Sequence, residues 1–322
     1  MGGFLFYPTV MAKQNKILYT KLPKTFEDQV KLLKARGLNF ENEKKAEKIL
    51  QFVSYNRLSN YWYPFLEEPK TEEIFKPNTS FDKIFSIYQF DSELRTLTFQ
   101  AIEQIEIAVR TQIIYHLSHK YDSGFWYENS SVFKNYPQYI NFLSKITNNT
   151  NESKQEFILK YINKYQQFLP PSWKAFEIIT FNSLLFILKN LADYKDIIPV
   201  AKSFGLNHEV FISWVETLVY IRNICAHHSR LWNIILTISP VWPKNTSKNW
   251  VDRWENIPSN TNTRDKVLKT YTVFCMITYL HSHINPYSNF KAQLKKLIED
   301  FSEVDIKYMG FPENWESQPL WK

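Results

Sequence analysis

Glycine is scarce in this chain, with 6 among 322 residues. Glycine supplies positive-φ turns and close backbone approach to phosphate, so a sheet-rich or nucleotide-cradling enzyme needs more of it. The chain also lacks any glycine-rich phosphate loop or paired metal-binding acids, which sets nucleotide transferases and kinases aside. Cysteine is scarcer still. Cys225 and Cys275 cannot make a disulfide framework or a cysteine-rich metal cage. Both sit in apolar, helix-like surroundings, so buried free thiols in a reducing compartment are expected. No stretch reaches the roughly 18 apolar residues that a membrane span needs. The opening GGFLFYPTVMA is apolar but short, has no basic lead and contains Pro8, so it makes a poor signal peptide. Met11 is a candidate natural start, and the expected location is cytoplasmic.

What is present points to helices around a real core. Hydrophobic residues make up 44% and aromatics 17% of the chain, enough to exclude wholesale disorder. The net charge of +7 and isoelectric point near 9.0 are compatible with a polyanionic partner such as RNA. The excess is diffuse, with short clusters such as Lys44-Lys45 and Lys295-Lys296 that solvated helix faces also explain.

Helix signals recur along the chain. Thr25 followed by Glu27 and Asp28 reads as a capped start, and Gly37 as a stop. A second helix runs through Ala46, Ile49, Leu50 and Val53, leading into the aromatic run Tyr55 to Phe65. Thr79-Ser80-Phe81-Asp82 restarts a long pattern to about Lys120, in which Ile102, Ile105, Val109 and Ile113 make one apolar stripe. Glu103, Glu106 and Arg110 lie beside that stripe, Glu106 and Arg110 as i,i+4 partners. They read either as a paired polar flank or as part of an active cleft or subunit contact. The pattern weakens over 121–154, where Asn148-Asn149-Thr150-Asn151 reads as a polar break. Leu169-Pro170-Pro171-Ser172-Trp173 opens another helix, with Ser172 as a possible cap and Glu177 on the side of Trp173. Helices are expected at 182–192, 195–203, 207–236 and 263–283. The resulting organisation is an N-terminal arm over 1–20 and a helical domain over 21–290 with a peripheral insertion at 121–160. A C-terminal helix and docked aromatic tail follow over 291–322.

The segment Tyr220 to Asn233, YIRNICAHHSRLWN, carries the chemistry. Placed on a helix, Arg222, Asn233, Arg230, Asn223 and His227 share an arc of about 140°, with Ala226 leaving room between them. His228 falls among Ile221, Ile224 and Trp232 and reads as a packing or orienting histidine. Cleavage of an RNA phosphodiester needs a base for the ribose 2′-hydroxyl proton, an acid for the departing 5′-oxygen, and fixed positive charge for the phosphorane. Histidine titrates near neutrality, and arginine offers a planar donor fork that matches phosphate. Asparagine is suited to orient the histidine or hold a phosphate oxygen. A solvated polar face or a buried hydrogen-bonded network would use the same residues. Two other pairs carry less. Arg110 and His116 point to separate sides of their helix, and His281 and His283 diverge by about 200°, too far to share a metal.

The string R-N-x-x-x-H, here Arg222-Asn223-Ile224-Cys225-Ala226-His227, resembles the signature of HEPN ribonucleases. Arg222 to Asn233 as a whole resembles the AbiD/AbiF-like abortive-infection family. Further blocks follow in that family's order: FEDQVKLL (26–33), YNRLSNYW (55–62), YQFDSELR (88–95), EQIEIAVR (103–110) and LPPSW (169–173) with Glu177. Phe181-Asn182-Ser183 departs from it, since relatives tend to carry glycine at the middle position. The resemblance, which covers about residues 20 to 235, implies an all-α, HEPN-like helical bundle elaborated with extra terminal helices. It implies a metal-independent endoribonuclease that halts phage-infected or stressed cells, with Arg222 and His227 catalytic. Asn223, His228, Arg230, Asn233, Glu106, Arg110 and Glu177 would support them. It further implies no cofactor, an RNA substrate, a homodimer that joins two Arg/His pairs in one cleft, and for some members a structured non-coding RNA regulator. A non-catalytic helical module that binds RNA or protein is the alternative.

Overall fold

The computed structural model describes residues 18–251 and 269–322; most of the expected arm over 1–20 and the start of the helix expected at 263–283 lie outside them. Twelve α-helices and no β-strand occur among the described residues, so the fold is all-α. No described helix is long and apolar enough to cross a membrane. The chain divides into two units at Ile84/Phe85.

The first unit holds α1 (Phe26–Ala35), α2 (Glu43–Phe52) and α3 (Tyr55–Trp62). Each starts on a side chain that accepts a hydrogen bond from an otherwise unpaired amide of the first turn. Thr25 accepts from Asp28 N at 3.1 Å, Asn42 from Lys45 N at 3.0 Å and Ser54 from Arg57 N at 3.3 Å. α1 stops where Gly37 takes φ +91°, a conformation that glycine adopts without a Cβ clash. Val30, Leu33, Leu50, Leu58 and Tyr61 fill the core of this unit.

α4 (Phe81–Lys120) begins in the first unit and runs for 40 residues. The second unit adds α5 (Tyr136–Glu152), α6 (Glu156–Lys164), α7 (Ser172–Ala175), α8 (Phe181–Asn190), α9 (Ile197–Lys202) and α10 (His208–Ala226). After the undescribed stretch come α11 (Thr270–Ile284) and α12 (Phe290–Asp300). α10 packs on α8, α9 and α11. Leu94, Ile102, Ile105, Val109 and Ile113 of α4 are buried, as are Val210, Trp214, Leu218 and Ile221 of α10. Both free cysteines are buried, as expected. The aromatic tail is docked: Phe311, Trp315 and Trp321 are buried, and the Trp321 indole donates to the Tyr271 hydroxyl at 3.0 Å.

Three local expectations change. Asn148 to Asn151 lie inside α5 and do not break it. Thr150 is fully buried and the Asn149 amide donates to Ile178 O at 2.7 Å, so these polar residues are spent on packing. Ser172 is the first residue of α7 rather than its cap, and its hydroxyl lies 3.0 Å from that of Ser118. The helix expected over 207–236 ends at Ala226, which reshapes the site.

Candidate active site

α10 ends in a closed hydrogen-bond pattern. Ser229 N donates to Ile224 O at 3.0 Å and His228 N to Cys225 O at 3.1 Å, with His228 at φ +54°. This paired 6→1 and 5→2 arrangement is the Schellman termination, normally built on glycine at the left-handed position. His227 is therefore the C-cap of α10, not a mid-helix residue. Its side chain is exposed and takes no hydrogen bond among the described residues. His228 is exposed as well, so of the packing and orienting roles expected for it, packing is not what the fold provides.

Beyond the cap the chain is captured by α4. Leu231 N donates to Asp91 Oδ1 and Oδ2 at 3.1 and 3.2 Å, and Trp232 N to Asp91 Oδ1 at 2.6 Å. Asp91 is wholly buried and ion-paired with buried Arg95 one turn away. Arg230 and Asn233 consequently leave the helical arc. Asn233 takes φ +53°, and its side-chain oxygen accepts from Lys269 Nζ at 3.1 Å.

Arg222 stays on the helix and is half-buried. Its guanidinium carbon lies 5.6 Å from the centre of the Phe99 ring, in range of a cation–π attraction. One hydrogen bond, Nη1 to Asn223 Oδ1 at 3.4 Å, is long and weak, and Nε is buried without a partner among the described residues. Glu106 lies within electrostatic reach. Burial raises the Glu106 carboxyl above the usual range, while Arg110 and Arg222 pull it down. Arg110 donates to Glu106 at 2.9 Å and to Ile179 O at 3.4 Å, and its Nη1 lies 3.9 Å from Glu177.

One stripe of α4 sets this geometry. Asp91, Arg95, Phe99, Glu106 and Arg110 fall within about 100° of one another on a helix, beside the buried isoleucine stripe. Glu106, Arg110, Glu177, Arg222 and Asn223 come together; Asn233 is turned to Lys269 instead. His116 stands apart, 3.4 Å from the Ser203 hydroxyl. His281 is buried, with its ring nitrogens against Ala101 O and the Ser288 hydroxyl, and His283 reaches the Ser247 hydroxyl at 2.9 Å. No cluster of three or more histidine, cysteine, aspartate or glutamate residues placed to hold a metal occurs among the described residues. Sequence reasoning met Asp91 and Arg95 only as part of the block YQFDSELR (88–95), with no role assigned, and passed over Phe99. The signal available was the i,i+4 Asp91/Arg95 pair flanked by Phe90 and Leu94.

A family model described as Abi-like protein matches residues 48–233, more than half of the chain and all of the site. The chain belongs to this abortive-infection family. No curated protein and no solved structure matches it. The family match spans the α4 stripe, α7 and the end of α10.

Removing one partner of a buried, hydrogen-bonded ion pair leaves the other charge uncompensated, at a cost of about 3–5 kcal/mol. Asp91→Ala should lower unfolding stability by that amount in a denaturant titration, and a loss under 1 kcal/mol would show that the carboxylate does not anchor the loop. Conversely, His228→Gly should be more stable than His228→Ala by about 1 kcal/mol, because a non-glycine residue in the left-handed region is strained by that order. Equal stability of the two variants would mean that the turn carries no such strain.

Proposed function

We propose that this chain is a metal-independent endoribonuclease of the HEPN type, acting in abortive infection. The observation that carries the reading is the state of the two motif residues. Arg222 is held over Phe99 with most of its donors uncommitted, and His227 is exposed with a free imidazole at the end of the same helix. A buried structural network would have used up both.

In the reaction, a histidine takes the ribose 2′-hydroxyl proton as the 2′-oxygen attacks phosphorus. The P–O5′ bond breaks, and the departing oxygen takes a proton from the acid. The products are a 2′,3′-cyclic phosphate and a 5′-hydroxyl. Arg222 stabilises the negative charge that gathers on the phosphorane oxygens, and an arginine stays charged throughout. Neither role needs a metal.

Five helical positions separate Arg222 and His227 by about 140°, and they share no hydrogen bond. Two copies of the chain would supply two Arg/His pairs to one cleft, one histidine as base and the other as acid. A homodimer is therefore part of the proposal, as are a cytoplasmic location and restraint by a structured RNA.

The test is RNA cleavage by purified protein in EDTA with end-group analysis. Wild type should leave cyclic phosphates, and Arg222→Ala and His227→Ala should each lose activity by about 10²-fold or more with the helical circular dichroism unchanged. Full activity in either variant would sink the mechanism. RNA binding without cleavage by wild type would favour a non-catalytic module.

A further inference from the structure

A groove of about 650 Å³ runs along α4 and α7 next to the Arg110/Glu177 contact. Its lining includes Tyr115, His119, Asp122, Trp173 and Glu177. Two large aromatic side chains are exposed there, Trp173 at 53% and Tyr115 at 56%, although aromatic surface of this size is ordinarily buried. The exposure of Trp173 is built in. A Cβ on Gly124 would lie 2.6 Å from the Trp173 ring and 2.8 Å from Pro171 Cβ, so only glycine lets the indole lie over this backbone. Ser172 N donates to Gly124 O at 2.7 Å, which ties the start of α7 to the loop after α4. Tyr115 is braced edge-on by His119, ring centres 4.5 Å apart.

The charges in this groove are Glu177 and Asp122, with no lysine or arginine in its lining. Phosphate would be repelled, whereas a hydrogen-bond donor edge would be accepted. Aromatic faces with carboxylates between them suit an unstacked nucleobase read on its Watson–Crick edge. Guanine presents N1–H and the N2 amino group side by side, matching the two oxygens of one carboxylate. Adenine and cytosine set their single amino donor next to an acceptor nitrogen, and uracil flanks its N–H with carbonyls. Glu177 is steadied by Arg110 at 3.9 Å, which in turn meets Glu106 beside Arg222.

We infer that the Trp173/Tyr115 groove is a guanine-binding subsite for single-stranded RNA, with Glu177 reading the base and the backbone continuing toward Arg222. This rests on reading the chain as an RNA-acting protein and adds the substrate class.

The experiment uses the full chain carrying His227→Ala, which removes the catalytic imidazole, and labelled hexauridylates with one central guanosine, adenosine, cytidine or no replacement. Fluorescence anisotropy should show the guanosine oligomer binding on the order of tenfold tighter than the others. Adding Trp173→Ala should weaken it by about 5- to 160-fold, the range for loss of one stacked base, and Trp173→Phe should restore most of that. Glu177→Gln should bring guanosine level with adenosine. Equal binding of all four oligomers, or an unchanged affinity in Trp173→Ala, overturns the subsite. So does a Trp173→Ala variant that splits a dimer in sedimentation while binding RNA as before, since a second copy then covers the groove. Cleavage by wild type without guanine preference overturns the subsite and leaves the nuclease standing. Guanine-selective binding without cleavage does the reverse.

Discussion

The geometry of the motif depends on one buried carboxylate. Asp91 sits at zero exposure in α4, paired with Arg95, and accepts the amide hydrogens of Leu231 and Trp232. A buried ion pair by itself adds little to stability, because desolvation consumes most of the Coulomb gain. Its value here is positional: those two amides would otherwise be buried without partners. By capturing them it pins the chain four residues after His227, and with it the direction in which α10 must stop. Trp232 is fully buried just beyond this anchor, against Tyr308 with ring centres 5.4 Å apart.

With the downstream chain held, α10 has to end at Ala226, and the Schellman closure is how it ends. Glycine would suit the left-handed position best, yet histidine occupies it at φ +54°. Local strain of this kind persists only where surrounding contacts over-determine the backbone. Leu231 and Trp232 on one side and Ile221 and Cys225 on the other are all buried and supply that constraint. The consequence is that His227 sits at the rim of the helix end, exposed, while Arg222 remains about 140° away around the helix and partly covered. A continuing helix would have kept both on one packed cylinder.

Helices with local signals were legible in the sequence. Thr25, the 79–82 restart and the isoleucine stripe of α4 each mark a boundary or a face through short-range chemistry, and the structure follows them. The abortive-infection resemblance is likewise matched over 48–233. The end of α10 was not legible, because residues 227–236 contain no glycine or proline and extend the helical wheel plausibly. What stops the helix is Asp91, 140 residues earlier in the chain. For the same reason Arg230 and Asn233 looked like members of the arc and are not. Asn148 to Asn151 misled in the opposite direction: their polarity reads as a break, but Asn149 spends its amide on a carbonyl of the segment after α7.

The electrostatics of the cluster bear on what it can bind. Glu106 lies within electrostatic reach of both Arg110 and Arg222, and burial raises its carboxyl despite both cations. Ionised, it balances one arginine, and its direct hydrogen bond goes to Arg110. Glu177 adds a second, more distant contact to the same guanidinium. Arg110 is thus the structural cation of the cluster, held by two carboxylates and a backbone carbonyl. Arg222 is left with a ring beneath it and one weak hydrogen bond, so of the two guanidiniums it is the one with open donors. A guanidinium that is positioned by packing rather than by ion pairing keeps its fork free for an incoming phosphate.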